Sequence, residues 1–307
     1  MKKTTPKPRY DVLEIAPELA EMAVTTVRLH PTPGDVPDVG ASKIGGTFLW
    51  PNEEPWPVCE ELGPPSWKNV DFHGWPVPKD ADDPGIPLVP VVQLRAEDFP
   101  EMEFFPGTDL FQLLWCPVDH EEPIFVAKPF VFWRDSQQIV NPLAEMPRPK
   151  YAQDHFLPPP CLVLPEPVVE FPSIQSLPEE ISDKIWEWDV ELPADGRIDE
   201  AVTLYEWELS VCPGAKVGGD VFWVQDRDVP VCECGREMSH LLTLAALEFD
   251  AGTYERWCPL EHPDIWEREY EDRHAVQGAA FDGLSGRQHI FICRSCEHWP
   301  IQSVFQR

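Results

Sequence analysis

Apolar residues along this chain fall into short runs separated by turn-forming residues, and few of the runs are long enough for a helix. Residues 88–94, 110–116, 289–293 and 222–224 are apolar and of strand length, and residues 47–50 read as a strand behind a glycine pair. Residues 124–133 predict a strand pair or one interrupted strand. Residues 241–249 fit a strand or a helix, because so short a run does not discriminate between the two periods. Helical spacing shows in two places. Leu13, Leu19, Met22 and Ala23 predict a helix within 12–27, leading into a short strand near 27–29. Ile181, Ile185 and Trp188 fall at i, i+4 and i+7, and Ala201, Leu204, Tyr205 and Glu208 predict a second helix behind them. Residues 1–11 read as a flexible tail. Residues 51–87 read as a long aromatic loop, and the proline-rich stretch 141–178 as a linker packed in extended form across a surface.

The chain also contains itself twice. Residues 43–60 align without gaps to 216–233 at an offset of 173, with identities at Lys43/Lys216, Gly45/Gly218, Gly46/Gly219, Trp50/Trp223, Pro57/Pro230, Val58/Val231, Cys59/Cys232 and Glu60/Glu233. Similarity at one fixed offset marks a duplicated structural unit. The expected architecture is α+β: β-rich, internally duplicated into two related β-sheet halves, with a few short helices and long proline-rich loops. The segments are an N-terminal tail and helix (1–40), a first repeat (41–140), a proline-rich linker with an acidic helical stretch (141–213) and a second repeat (214–307).

Composition narrows the picture. Thirty-seven prolines exclude a helical bundle, since each removes a backbone donor. Net charge is −30, from 54 acidic and 24 basic residues, a balance that disfavours nucleic acid and suits a basic protein or peptide as partner. No apolar run is long enough to cross a bilayer, and the N-terminal residues lack the apolar core of a secretory signal, so a cytoplasmic protein without a membrane partner is expected. In a reducing compartment nine cysteines serve as thiols or metal ligands.

Two close cysteine pairs carry the chemistry. Cys232 and Cys234 precede Gly235, and Cys293 and Cys296 follow an apolar strand. Four thiolates suit tetrahedral zinc, and a thiolate-only set is a structural rather than catalytic site. Buried free thiols and a redox CxxC are the alternatives. Cys258, His262 and His298 are further candidate ligands, ranked below the four cysteines. In the first repeat Cys59 stands for Cys232 and Cys116 for Cys293, while Glu61 and Asp119 replace the other two cysteines. The expected outcome is a decayed site of buried thiols, with a mixed site of Cys59, Cys116 and His120 as the alternative. The Lys-x-Gly-Gly motif lacks the spacing of a phosphate loop and leads into a strand, so its glycines serve backbone geometry.

Ser42–Gly46 (SKIGG), Trp56-Pro57, the strand 91–94 and the strand 110–115 together resemble the YwqG-like bacterial family of unknown function. The second half, with KVGG, PVCECG, a methionine-led strand at 238–244 and HIFICRSC, resembles the programmed cell death protein 2 family. The resemblances imply a duplicated β-rich fold and no established catalytic residues. The second family's chaperone role for a ribosomal protein would come to this chain by analogy alone. The function expected is a non-enzymatic, acidic protein-binding module stabilised by structural zinc, chaperone-like or an immunity protein, with Trp67, Phe72 and Trp75 as candidate partner contacts. The alternatives are a hydrolase using the polar cluster Asp119, His120, Glu121 and Glu122, or a thiol-based redox or metal sensor.

Overall fold

The computed structural model describes residues 2–34, 38–60, 85–118, 120, 126–150, 152–192, 203–278 and 280–307. The strands among them are β1 (Val24–Arg28), β2 (Thr32–Pro33), β3 (Lys43–Ile44), β4 (Val58–Cys59), β5 (Ile86–Pro87), β6 (Val89–Arg95) and β7 (Leu110–Trp115). There follow β8 (Pro129–Arg134), β9 (Cys161–Leu162), β10 (Glu166–Glu170), β11 (Lys216–Val217), β12 (Ser239–Ala245), β13 (Arg287–Ile292) and β14 (Ile301–Gln306). The helices are α1 (Val12–Ile15), α2 (Glu179–Glu191), α3 (Tyr254–Trp257) and α4 (Tyr270–Gln277).

The chain divides into two compact units: Met1–His30 with Leu164–Arg307, and Pro31–Val163. Each holds one six-stranded sheet, ordered β10-β1-β11-β12-β13-β14 in the first and β2-β9-β3-β6-β7-β8 in the second. The expected β-rich α+β class is the class observed. The repeat is visible in the register. Lys43 stands opposite Gln93, and Gln93 opposite Gln112; Lys216 stands opposite Thr243, and Thr243 opposite His289. Both sheets carry a β-bulge at the same place, between Pro90 and Val92 and between His240 and Leu242.

The bulge explains the glycine pairs. The carbonyls of the bulged residues Val91 and Leu241 accept the N–H of Gly45 and Gly218, each at 2.9 Å. All four glycines take positive φ, from 59° at Gly45 to 73° at Gly219. A Cβ at Gly219 would lie 1.9 Å from Glu170 Oε1. The backbone reading of Lys-x-Gly-Gly therefore holds, and β3 and β11 lie inside their sheets.

The stretches 47–50 and 222–224, expected as strands, form none. Their backbone groups are taken by side chains. Leu49 N–H donates to Gln93 Oε1 at 2.9 Å and Leu49 C=O accepts from Gln112 Nε2 at 2.8 Å, while Val224 N–H donates to Gln306 Oε1 at 2.8 Å. Extended chain whose polar groups are satisfied this way needs no neighbouring strand. The helix expected over 12–27 is broken early. Asp11 caps α1 through Leu13 N–H, Pro17 ends it, a 3-10 turn follows at Pro17–Glu21, and the chain is extended by Val24. α2 forms as expected and packs Ile181 and Ile185 against Val12, Leu19 and Tyr205. The second helix expected behind it is a π-turn, Tyr205–Leu209; residues 193–202 lie outside the described ones.

Two corrections concern the segments read as a packed linker and as a flexible tail. Residues 141–178 supply β9 and β10, integral strands of the two sheets. Thr32 pairs with Leu162 in one sheet and Arg28 with Glu166 in the other, so 27–33 matches 161–167 at an offset of 134, with Pro31/Pro165 and Pro33/Pro167 in common. In each matched segment the first strand lies beside the Lys-x-Gly-Gly strand of one unit and the second forms the edge of the other unit's sheet. Pro33 and Pro167 fall in those edge strands, where a missing N–H breaks no ladder. The N-terminal residues, read as a flexible tail, form a strap on the first unit. Thr4 C=O accepts from Leu260 N–H, Pro6 C=O from Arg256, Thr5 N–H donates to Glu166, and Arg9 pairs with Glu208 and Glu255.

Candidate metal centre

β13 ends at Ile292, and its direct continuation places Cys293 with its sulfur in the core and its N–H on Pro300 C=O. The chain then turns back through Cys296, with Trp299 at a positive φ of 44°. The other pair sits on a second tight turn. Gly235 N–H donates to Cys232 C=O at 2.8 Å and Cys232 N–H to Arg236 C=O at 2.9 Å. Gly235 has φ 82° with open space where a Cβ would stand, so the residue is required by the backbone and not by crowding. Arg236 Nη1 donates to Ser295 Oγ at 2.7 Å, joining the two turns.

These turns bring all four sulfurs together. Cys232 and Cys296 are 3.7 Å apart, Cys234 and Cys293 3.7 Å, and Cys293 and Cys296 3.8 Å, with every ligand atom within 4.8 Å of the others. A disulfide would require about 2.0 Å. A tetrahedral cation with metal–sulfur bonds of about 2.3 Å sets sulfur–sulfur edges of about 3.8 Å. The cluster is thus geometrically suited to hold a metal ion. Cys232 and Cys293 are buried against Val221, Trp223, Met238 and Phe291, whereas Cys234 is exposed and Cys296 half-buried. The sulfurs share protons unevenly. The Arg236 backbone N–H pulls Cys234 down to about 7, and the hydrogen bond with Cys232 pushes Cys296 up to about 12.

The lower-ranked ligands lie elsewhere. Cys258 packs with Cys212, Phe249, Trp257 and Ile265 and points its sulfur at His262 C=O, 3.5 Å away. His298 is exposed.

The second unit repeats the arrangement in reduced form. Cys59, on β4, and Cys116, directly after β7, are brought together with His120, with Cys59 Sγ 3.8 Å from His120 Nε2. All three are buried, and the two cysteines belong to one core cluster with Phe48, Trp50, Ile86, Leu88 and Leu114. Trp67, Phe72 and Trp75 lie outside the described residues, as do Glu61, Asp119, Glu121 and Glu122.

Buried polar groups with no local sequence signal surround the shared lysine. Lys216 Nζ meets both Glu170 oxygens at 2.8 Å, and Glu170 also accepts the N–H groups of Cys212 and Asp220. Burial pushes the Glu170 carboxyl up, against these donors. Nearby, His240 Nδ1 donates to Gly218 C=O at 3.0 Å, which leaves Nε2 to accept from Thr243 and Thr243 to accept from His289 Nδ1. That one-way chain needs the His240 ring neutral, because its Nε2 accepts, whereas His289 donates from Nδ1. Burial pushes His240 down to about 3 and His289 well below the usual value.

No family model matches the chain and no curated protein matches it, so the resemblances to the YwqG-like and programmed cell death protein 2 families rest on the motifs alone.

Proposed function

We propose that Cys232, Cys234, Cys293 and Cys296 bind one zinc ion as a structural centre, and that the chain is a non-enzymatic, cytoplasmic, YwqG-like module that binds a basic protein or peptide, chaperone-like or as an immunity protein. The observation that carries the zinc reading is the set of sulfur–sulfur edges of 3.7–3.8 Å, the tetrahedral spacing of a thiolate-only centre. Four protein thiolates leave no open position for substrate, which favours scaffold over catalyst. Two features support the basic partner. Net charge is −30. The extended N-terminal strap is held by four glutamates, Glu261 and Glu166 accepting the Thr4 and Thr5 N–H groups and Glu208 and Glu255 pairing with Arg9, a small instance of an acidic surface receiving an extended segment. No helix among the described residues is long and apolar enough to cross a membrane.

The test uses the intact chain, zinc-loaded and after chelation, against arrays of Lys/Arg-rich and Asp/Glu-rich peptides over a salt series. Zinc-loaded protein binds basic peptides, weakens with salt, and loses binding together with its fold on chelation. Equal binding to both peptide sets would sink the partner reading, and a chelated chain with unchanged melting temperature would sink the structural zinc.

A further inference from the structure

We propose that the second unit holds a metal centre of its own, in which Cys59, Cys116 and His120 supply three ligands to a zinc-class thiophilic cation. The argument begins with register. Trp115 and Ile292 end the equivalent strands β7 and β13, so Cys116 and Cys293 are equivalent residues, as Cys59 and Cys232 are by the fixed offset of 173. Half of the four-thiolate set is therefore present in the same structural places. The other two cysteines have no sulfur counterpart, since Glu61 and Asp119 stand there. His120 lies one residue past the place of Cys296, and its ring reaches the sulfurs from that shifted position.

The spacing fits. With metal–sulfur bonds of about 2.3 Å and metal–nitrogen bonds of about 2.0 Å, a tetrahedral cation sets a sulfur–nitrogen edge of about 3.6 Å. Cys59 Sγ lies 3.8 Å from His120 Nε2, and all three ligand atoms lie within 4.8 Å of one another. Two thiolates and one imidazole form the donor set of known zinc sites in which a fourth ligand completes the tetrahedron. Soft sulfur with borderline nitrogen excludes magnesium and calcium, which take oxygen.

The setting differs from the four-cysteine centre in one respect that bears on chemistry. There, Cys234 is exposed; here all three ligands are buried, with Cys116 fully so, beneath Trp50 and Leu88. Two thiols beside one imidazole, among apolar side chains, can hold a divalent cation as thiolates, the two protons leaving to solvent and the cation neutralising the two resulting charges. The inference goes beyond the structural zinc proposed above and does not depend on it.

Metal content of the full-length chain, purified without added metal or chelator, decides the matter. The wild type is expected to carry two zinc ions per chain. Cys59→Ser/Cys116→Ser is expected to lose one, and Cys293→Ser to lose the other. Unchanged zinc content in Cys59→Ser/Cys116→Ser overturns this proposal while leaving the four-cysteine centre to be judged by the Cys293→Ser arm. Should the double variant fail to fold, His120→Ala, which keeps both thiols, carries the test. One zinc fewer and a weakened second binding step on zinc titration support the proposal; wild-type content and wild-type titration overturn it. Cobalt substitution supplies an independent signature. Two ligand-field envelopes are expected, and the one from the site with fewer thiolates lies at shorter wavelength and vanishes in His120→Ala. A single envelope, unchanged in that variant, overturns the proposal.

Discussion

Lys216 and Lys43 occupy the same register position in the two sheets, opposite Thr243 and Gln93, and both are almost wholly buried. Their charges are met differently. Lys216 faces a carboxylate, Glu170, itself inaccessible and held by two backbone N–H groups. Lys43 Nζ donates to the carbonyls of Asp38 and Val39, at 2.7 and 3.1 Å, and burial lowers it to about 8, although the Asp38 charge opposes this. The layer beside each lysine differs in kind as well. The first unit uses a His240–Thr243–His289 chain; the second uses Gln93 and Gln112, backed by Arg134, which pairs with Glu54 at 2.7 Å and lies over the Trp50 ring. One strand arrangement thus tolerates two polar interiors, one coupled to protons and one built from amides. A repeated fold constrains where buried polar groups sit and that they be satisfied, and leaves the chemistry of satisfaction free.

The sharpest way to break the comparison is to remove each lysine. Lys216→Met strands the Glu170 charge and is expected to cost about 3–5 kcal/mol, whereas Lys43→Met strands only carbonyls and costs about 1 kcal/mol. Denaturant unfolding of both variants reads the difference. Adding Glu170→Gln to Lys216→Met removes the stranded charge while keeping an acceptor for the Cys212 and Asp220 N–H groups and restores most of the loss, and equal costs for the two single variants would end the distinction.

Acid separates the units next. Burial lowers His240 to about 3, and His30, in the same unit, is pushed down to about 4 by burial and by Arg28, although Glu166 opposes this. Both values lie below the unfolded histidine value of about 6.5, so the unfolded chain binds protons first. Stability from these groups is complete above about pH 6.5 and is lost as pH falls towards 4. Glu248, raised to about 7 by burial, works in the opposite sense, since its stabilisation is lost as pH rises through 7. Lys216 and Arg287 face the His289 ring and add to the cost of charging it. The net acid loss is expected to be on the order of 3 kcal/mol. Hydrogen exchange at pH 7 and pH 4.5, corrected for intrinsic rates, should show β12 and β13 losing protection while β6 and β7 keep theirs. Uniform loss would refute the assignment to the first unit.

The smallest effect sharpens the amide side. Gln93→Leu leaves Leu49 N–H and one donor of Gln112 without their acceptor and is expected to cost about 1–2 kcal/mol, with exchange speeding at Leu49. Unchanged exchange there would mean that the extended segment does not depend on the side chain.

Long apolar runs made β6, β7, β12 and β13 legible, and the two cysteine turns made the four-sulfur cluster legible, because both signals are local. What escaped was settled at a distance. Residues 47–50 look like a strand, but glutamines from β6 and β7 claim their backbone. β9 and β10 hide in a proline-rich stretch because their prolines mark an edge that composition cannot distinguish from a linker. Lys216 gives no hint of Glu170, 46 residues earlier, since neither belongs to a motif. The repeat points to the places of Cys59 and Cys116, and His120 stands beside the Cys296 position rather than on it, while Pro31/Pro165 with Pro33/Pro167 is too thin a match to reveal the second repeat.

The crossing of strands between the two sheets fixes an order in time. Thr26 Oγ1 bonds to Val217 C=O, 191 residues further along. At roughly 5–20 residues per second, a ribosome delivers that partner on the order of 10–40 s after β1 has left it. Through that interval β1, rich in β-branched residues, waits with an open edge, the feature of a nascent chain most prone to wrong pairing. Cutting the chain between β8 and β9 would make the wait permanent, because the N-terminal piece keeps β1 and loses β11, while the C-terminal piece keeps β9 and β10 and loses β3 and β1, with which they pair.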